Sequence, residues 1–328
     1  MVFDVMRYLI KIILAGIVSL GVLSVFAIAY EYTGVHIYNE TEATDYKRQP
    51  RQLMTNMNEG FSVIIADENG FNNSYDVYPK ERVSNLLMGS SHMEAAEVGA
   101  RKNTGYLLNT LLDGRTYNIG MAGHQIYNCV NNMSSAVNEY NPSDYVILET
   151  DRVILEPDKM QQVLVGAFSR LPSYDSGIVY LLQKYVPSIK YLYKQIDVWR
   201  HGEQDASFDE IIYDDSYIQL LQKFIEKAAA DASKMGAQLM IVYQPATVLD
   251  KSGNLVKASE EPIQLFRAAC DKSDVVFIDM TDVFCKLYYE NHVLAHGFIN
   301  TAVGEGHLNE SGHRVMATAI AQCIEERH

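Results

Sequence analysis

The 328-residue chain has only four cysteines, Cys129, Cys270, Cys285 and Cys323, and none falls in a CxxC or other short metal-ligand spacing. This argues against a zinc site, and no metal or cofactor is expected. In an exported domain a disulfide is permitted but not required. Without one, these residues read as small buried hydrophobes. Clusters of Lys and Arg are also lacking. With 27 basic against 41 acidic side chains the formal charge is −14, so the basic footprint that a nucleic-acid binder needs is missing. No low-complexity tract or short-period repeat is visible, which sets solenoids and propellers aside. What remains is an ordinary globular composition, 48% hydrophobic and 21% charged, long enough to bury a substantial core.

Long apolar runs are scarce too, with one exception. From Ile12 to Tyr30 the chain carries no charge, and the run is about as long as a bilayer core requires. Lys11 lies close enough to one end to snorkel. Arg7 and Lys11 flank the start, whereas Glu31 to Asp45 holds several acids and no Lys or Arg. The positive-inside rule then keeps the N-terminus in the cytoplasm and exports the rest. Ala27-Ile28-Ala29 resembles a signal-peptidase site, but the run exceeds a usual signal core of ~7–15 residues, which favours an uncleaved anchor. Cleavage would instead make the domain a secreted one. The expected organisation is an anchor over 1–31, a linker over 32–58 and a domain over 59–328.

Within that domain, Phe61 to Tyr78 reads as a hairpin turning at Glu68-Asn69-Gly70. Short apolar strands follow at Leu86–Met88, Tyr117–Ile119, Tyr145–Leu148, Leu239–Tyr243 and Val275–Ile278. Helical patterns run over His92–Leu112, His124–Tyr140, Ser216–Lys234, Pro262–Asp271 and Asn309–Glu326. This alternation predicts an α/β fold, a central mainly parallel sheet of about five strands covered on both faces. Ligand sites in such sheets lie beyond the carboxyl ends of the strands. Val153 to Asp215, rich in Tyr and Leu and containing Trp199, breaks the pattern and reads as a helical insertion, either a lid or a packed excursion.

Two places carry chemistry. Gly89-Ser90-Ser91-His92 closes the first strand and opens a helix. A serine there presents its hydroxyl and its backbone N–H at the sheet edge, near the positive end of a helix, although a serine at that position also simply caps. Far downstream, His307 lies in a glycine-flexed loop, Gly304-Glu305-Gly306-His307-Leu308-Asn309, before a final amphipathic helix. Serine needs a base to take its proton, histidine is the usual one, and the base wants a carboxylate to fix its tautomer.

In these blocks the chain resembles the SGNH (GDSL-type) hydrolase superfamily over about residues 84–151 and 238–326. The resemblance implies a three-layer flavodoxin-like fold with Ser91, matched to Gly-Asp-Ser, as nucleophile. It implies Gly123, in Asn118-Ile119-Gly120-Met121-Ala122-Gly123, as an oxyanion-hole donor beside the N–H of Ser91. His307-Leu308-Asn309 with Gly312 matches the last block and implies His307 as base. Two blocks depart from the pattern. Thr150 stands where the family has an Asn donor, and Gly304 stands where it has the Asp. Glu305 is then the nearest acid, with Asp279 and Asp282 in reserve, and a dyad with no acid is the remaining option. His92, His124 and Arg152 are candidates for substrate contact, with capping and ion-pairing as their ordinary alternatives, and His313 is expected to be structural.

Membrane-tethered relatives of this kind modify extracytoplasmic or cell-wall polysaccharide, by O-acetylation or D-alanyl transfer, often beside a multi-pass membrane acyltransferase. The resemblance therefore implies an esterase or acyltransferase acting on O-acyl, foremost O-acetyl, groups of carbohydrate. The alternatives are a lipase or thioesterase of the same superfamily, or a non-catalytic scaffold that kept the fold.

Overall fold

The computed structural model describes residues 2–32, 36–38, 44–74, 83–113, 115–168, 186, 188, 211–256 and 258–327. Helix α1, Val2–Tyr30, is the one helix among them long and apolar enough to cross a membrane. Strands β1 (Glu31–Tyr32), β2 (His36–Tyr38), β3 (Tyr46–Arg48), β4 (Leu53–Asn56) and β5 (Ser62–Ile65) follow. β1, β4 and β5 form a small antiparallel sheet, and β2 pairs with β3. The segment read as a linker over 32–58 is therefore part of the domain from Thr44 onward, where Asp45, Tyr46, Arg48 and Met54 are all buried. The hairpin also shifts. β5 pairs backward with β4 in the register Leu53↔Ile65, while Asp67 to Gly70 makes a turn closed by Gly70 N–H to the Asp67 carbonyl.

The main sheet has five parallel strands: β6 (Asn85–Met88), β7 (Thr116–Asn118), β8 (Tyr145–Thr150), β9 (Gln238–Tyr243) and β10 (Val276–Asp279), in the order β10-β9-β8-β6-β7. The chain moves from β6 to one side and then to the other. This is a doubly wound order with its switch point between β6 and β8, the place where such sheets bind ligands.

The helices between the strands are α2 (Ser91–Glu94), α3 (Thr104–Leu111), α4 (Ile126–Tyr140), α5 (Pro157–Leu164), α6 (Asp215–Ala232), α7 (Glu260–Lys272), α8 (Thr281–Asn291) and α9 (Glu310–Glu325). Side chains alternate along the strands, so the sheet feeds two cores, one on each face. Leu86, Val146 and Ile241 meet Val130 of α4, Phe224 of α6 and Phe266 of α7. Leu87, Ile147 and Met240 meet Leu108 of α3, Phe284 of α8 and Ile320 of α9. The fold is thus the expected three-layer α/β arrangement.

The helix read over His92–Leu112 is interrupted. α2 stops at Ala95, whose φ is +53°. The Asn72 amide donates to the carbonyls of Glu94 and Ala95 at 2.8 and 3.1 Å, satisfying acceptors that a continuing helix would otherwise use. Asn103 then caps α3 through Tyr106 N–H. Of the insertion read over 153–215, α5 and the start of α6 are described. Most of the rest, with Trp199, lies outside the described residues.

Candidate active site

The turn after β6 is built from both serines, and the structure separates their tasks. Ser90 is the N-cap of α2, its Oγ accepting from His92 N–H at 3.2 Å. The Ser90 N–H and hydroxyl both donate to Glu149 Oε2, at 2.9 and 3.0 Å. Ser91 Oγ instead lies 2.8 Å from His307 Nε2. Gly89 is required here, because a Cβ would run into the Glu149 carboxylate and Met93.

On the far side of the imidazole, His307 Nδ1 is 2.8 Å from Glu59 Oε2, and His307 N–H donates to Glu59 Oε1. Ser91, His307 and Glu59 therefore form one hydrogen-bonded line. Glu305, the acid expected from sequence, is exposed, and its backbone belongs to a turn with Ala302. The position beside the imidazole is taken by a residue from the segment between the two small-sheet strands β4 and β5. Of the reserve acids, Asp279 caps α8 through Thr281 and meets Arg267 at 3.4 Å, and Asp282 is exposed.

The Glu59 turn is held by two asparagines. Asn56 Oδ1 accepts from the N–H groups of Asn58 and Glu59 at 3.2 and 2.9 Å. The Asn300 side chain grips both sides, donating to Met57 O and Gly60 O and accepting from Gly60 N–H. Gly306, at φ +104°, leaves the space that the Glu59 carboxylate fills.

Burial alone would lower the pKa of His307. The hydrogen bond to Glu59 and the charges of Glu97 and Glu59 outweigh that and raise it to about 9. Glu97 Oε1 lies 3.7 Å from Nδ1. Burial lifts Glu97 to about 7, against the pull of His307. Glu59, Glu97 and His307 also bring three donor atoms within 4.8 Å of one another, the described grouping that could hold a metal ion.

The remaining sequence candidates fall in distinct places. The N–H groups of Ser91 and Gly123 have no hydrogen-bond partner among the described residues, and Gly123 has φ +83°, so both are free to donate. Thr150 is not: its hydroxyl donates to the Arg152 carbonyl at 2.8 Å and accepts from Arg152 N–H, leaving no proton for an oxyanion. The Arg152 guanidinium pairs with Asp151 at 3.1 Å rather than with the site.

His124 lies off the rim altogether. It is buried, with Nε2 3.5 Å from Asp45 and its ring edge-on to Tyr46. Burial lowers its pKa, against the charges of Asp45 and Glu94. His92 Nδ1 accepts from Leu308 N–H at 3.1 Å, so it braces the loop that carries His307. Burial and the charge of His307 hold it well below the ordinary histidine range. His313 is buried in α9, 2.9 Å from Thr104 Oγ1.

Nothing in the sequence singles out Glu59 or Glu97, and Glu149, which reads there as part of an ion-pair cluster with Asp151 and Arg152, accepts from Ser90 and Gln244 instead. Glu149 has a readable signal: it is an acid at the end of an otherwise apolar strand, where nothing but a site or a strong hydrogen-bond set sustains it. Burial and Asp151 push it up to about 7, while the donors Ser90 and Gln244 pull it back.

No family model and no curated protein matches the chain. Among solved structures, it is similar to an acetyl xylan esterase at 17% identity, TM-score 0.42, over 73% of this chain and 98% of that one. It is similar to a variant acetyl-xylooligosaccharide esterase from Geobacillus stearmophilus at 13% identity, TM-score 0.43, over 74% and 94%. It is also similar to a member of the lipolytic protein G-D-S-L family from Veillonella parvula at 16% identity, TM-score 0.37, over 73% and 96%.

Proposed function

We propose that this chain is a serine esterase of the SGNH type, with Ser91 as nucleophile, His307 as general base and Glu59 as the acid that orients it. The observation that carries the reading is the line Ser91 Oγ, His307 Nε2, His307 Nδ1, Glu59 Oε2, with 2.8 Å at each hydrogen bond. This is the geometry a serine needs, because the base reaches the proton and the acid fixes the tautomer.

In the proposed reaction His307 Nε2 takes the Ser91 proton as Oγ attacks the ester carbonyl. The N–H groups of Ser91 and Gly123 receive the oxyanion. As the intermediate collapses, His307 returns the proton to the leaving alcohol, and Ser91 is left acylated. A water or sugar hydroxyl, deprotonated in turn by His307, then attacks the acyl-enzyme and restores Ser91. Water makes the protein a hydrolase, and a sugar hydroxyl makes it an acyltransferase.

The proposed substrate is an O-acyl group, foremost O-acetyl, on carbohydrate outside the cytoplasm. Its support is the anchor-like α1, with Arg7 and Lys11 near its start and acids after its end. A multi-pass membrane acyltransferase is the proposed partner. The test is acetate release from p-nitrophenyl acetate and from acetylated xylooligosaccharide, with mass analysis of added unacetylated oligosaccharide. Turnover that vanishes in Ser91→Ala is the expected result, and an acetylated acceptor identifies a transferase. A folded protein that turns over neither ester sinks the reading in favour of a scaffold.

A further inference from the structure

Glu149 stands at the end of β8, 1% exposed, with a carboxylate that accepts three hydrogen bonds. Two come from Ser90. The third comes from Gln244 Nε2 at 3.0 Å. Gln244 is buried as well, and its carbonyl oxygen lies 2.6 Å from His296 Nε2. A carbonyl can only accept, so His296 carries its proton on Nε2. Burial holds His296 neutral, at about 4, so Nδ1 is an acceptor, and it receives the Thr247 hydroxyl at 3.0 Å. Every donor in the series Thr247, His296, Gln244 points toward Glu149.

His296 is also tied to the base. It forms a β-bridge with Leu308, flanked by Gly297 N–H to the His307 carbonyl at 3.0 Å and Asn309 N–H to the Ala295 carbonyl at 2.9 Å. Leu308 N–H in turn donates to His92, the residue after Ser91. The nucleophile turn and the base loop are thus joined by two routes, one through His92 and one through Glu149, Gln244 and His296.

We propose that Glu149 is a positioning residue for this site. Its carboxylate is the terminus of an oriented hydrogen-bond chain that sets the turn bearing Ser91 against the loop bearing His307. Its contact is with Ser90, so it acts on the reaction through the backbone of the nucleophile. The inference deepens the esterase reading, and the catalytic part of its test rests on that reading.

The orientation of the chain supplies a signature. In Glu149→Gln, the new amide keeps one oxygen for Ser90 and turns its NH2 toward Gln244. Gln244 must then flip, its NH2 faces His296, and His296 moves its proton from Nε2 to Nδ1, donating to Thr247. The chain survives with reversed polarity. Glu149→Leu has no such escape.

The experiment measures kcat and KM on p-nitrophenyl acetate for wild type, Glu149→Gln and Glu149→Leu, with 15N spectra of the histidine rings in the full chain. Expected are a kcat within about fivefold of wild type for Glu149→Gln, a fall of roughly 100-fold for Glu149→Leu at similar KM, and exchange of the His296 ring nitrogens in Glu149→Gln. A folded Glu149→Leu with wild-type kcat overturns the proposal. So does a Glu149→Gln protein in which His296 keeps its proton on Nε2. If Glu149→Leu does not fold, the His296 signal still decides. A wild type without esterase activity contradicts the esterase reading separately, because the tautomer exchange is read without turnover.

Discussion

Glu59 and His307 lie 248 positions apart and share two hydrogen bonds, one to the imidazole Nδ1 and one to the backbone N–H of the same histidine. The second bond fixes the carboxylate to the loop as well as to the ring. Glu59→Gln is therefore expected to lower kcat roughly 10²–10⁴-fold, as losing the charge and tautomer control behind a catalytic histidine does. Glu305→Gln, on the surface two residues before His307, is expected to change kcat less than about twofold. Initial rates of the two variants, each checked for folding by circular dichroism, make the comparison.

The pH profile follows from the same pair. His307 must be neutral to accept the Ser91 proton, and its carboxylate neighbours raise it to about 9. In the free enzyme kcat/KM should climb with pH, about tenfold per unit, and level near 9. Glu59→Gln removes the hydrogen bond and one of the charges that raise the pKa, so the midpoint moves to lower pH. A profile that levels at the ordinary histidine value in wild type contradicts the assignment.

Gly123 is expected to tolerate no side chain. A Cβ there would approach the Tyr46 hydroxyl at 2.6 Å, at φ +83°, and a shifted N–H cannot meet a developing oxyanion. Gly123→Ala should cost roughly 10–10³-fold in kcat. Ser90→Ala loses a cap worth about 1 kcal/mol of stability and should leave Ser91 reactive.

Acid stability tests the buried histidines. Burial holds His313 at about 3 and His296 at about 4, against about 6.5 in the unfolded chain. A folded pKa depressed in this way contributes stability that is whole above pH ~6.5 and is lost as pH falls toward the folded value. That window is worth on the order of 3 kcal/mol for His296 and on the order of 5 kcal/mol for His313. His313→Asn, which keeps a polar partner for Thr104 and takes up no proton, should move the acid-unfolding midpoint to lower pH in circular dichroism.

What could be read from sequence was local. An apolar strand running into Gly89-Ser90-Ser91, and His307 two residues before the Asn309 cap, announce themselves within a few residues. The five strands and most helices follow from periodicity. Glu59 was hidden because it directly follows the polar stretch ending at Asn58 that reads as linker, and the strands on either side are four residues each. Only their pairing and the grip of Asn300, more than two hundred positions away, give the turn a shape. The break after α2 likewise depends on Asn72, on another element. Thr150 and Glu149 show how much one position matters in a strand. Successive side chains point to opposite faces, so the acid rather than the hydroxyl reaches the turn that bears Ser90 and Ser91.

Covalent labelling with a fluorophosphonate, followed by peptide mass analysis, reads directly whether Ser91 is the nucleophile. One adduct is expected, on Ser91, absent in Ser91→Ala, retained in Ser90→Ala, and strongly slowed in Glu59→Gln with Glu305→Gln unchanged. A folded protein that takes no label, or takes it on Ser90, contradicts that assignment.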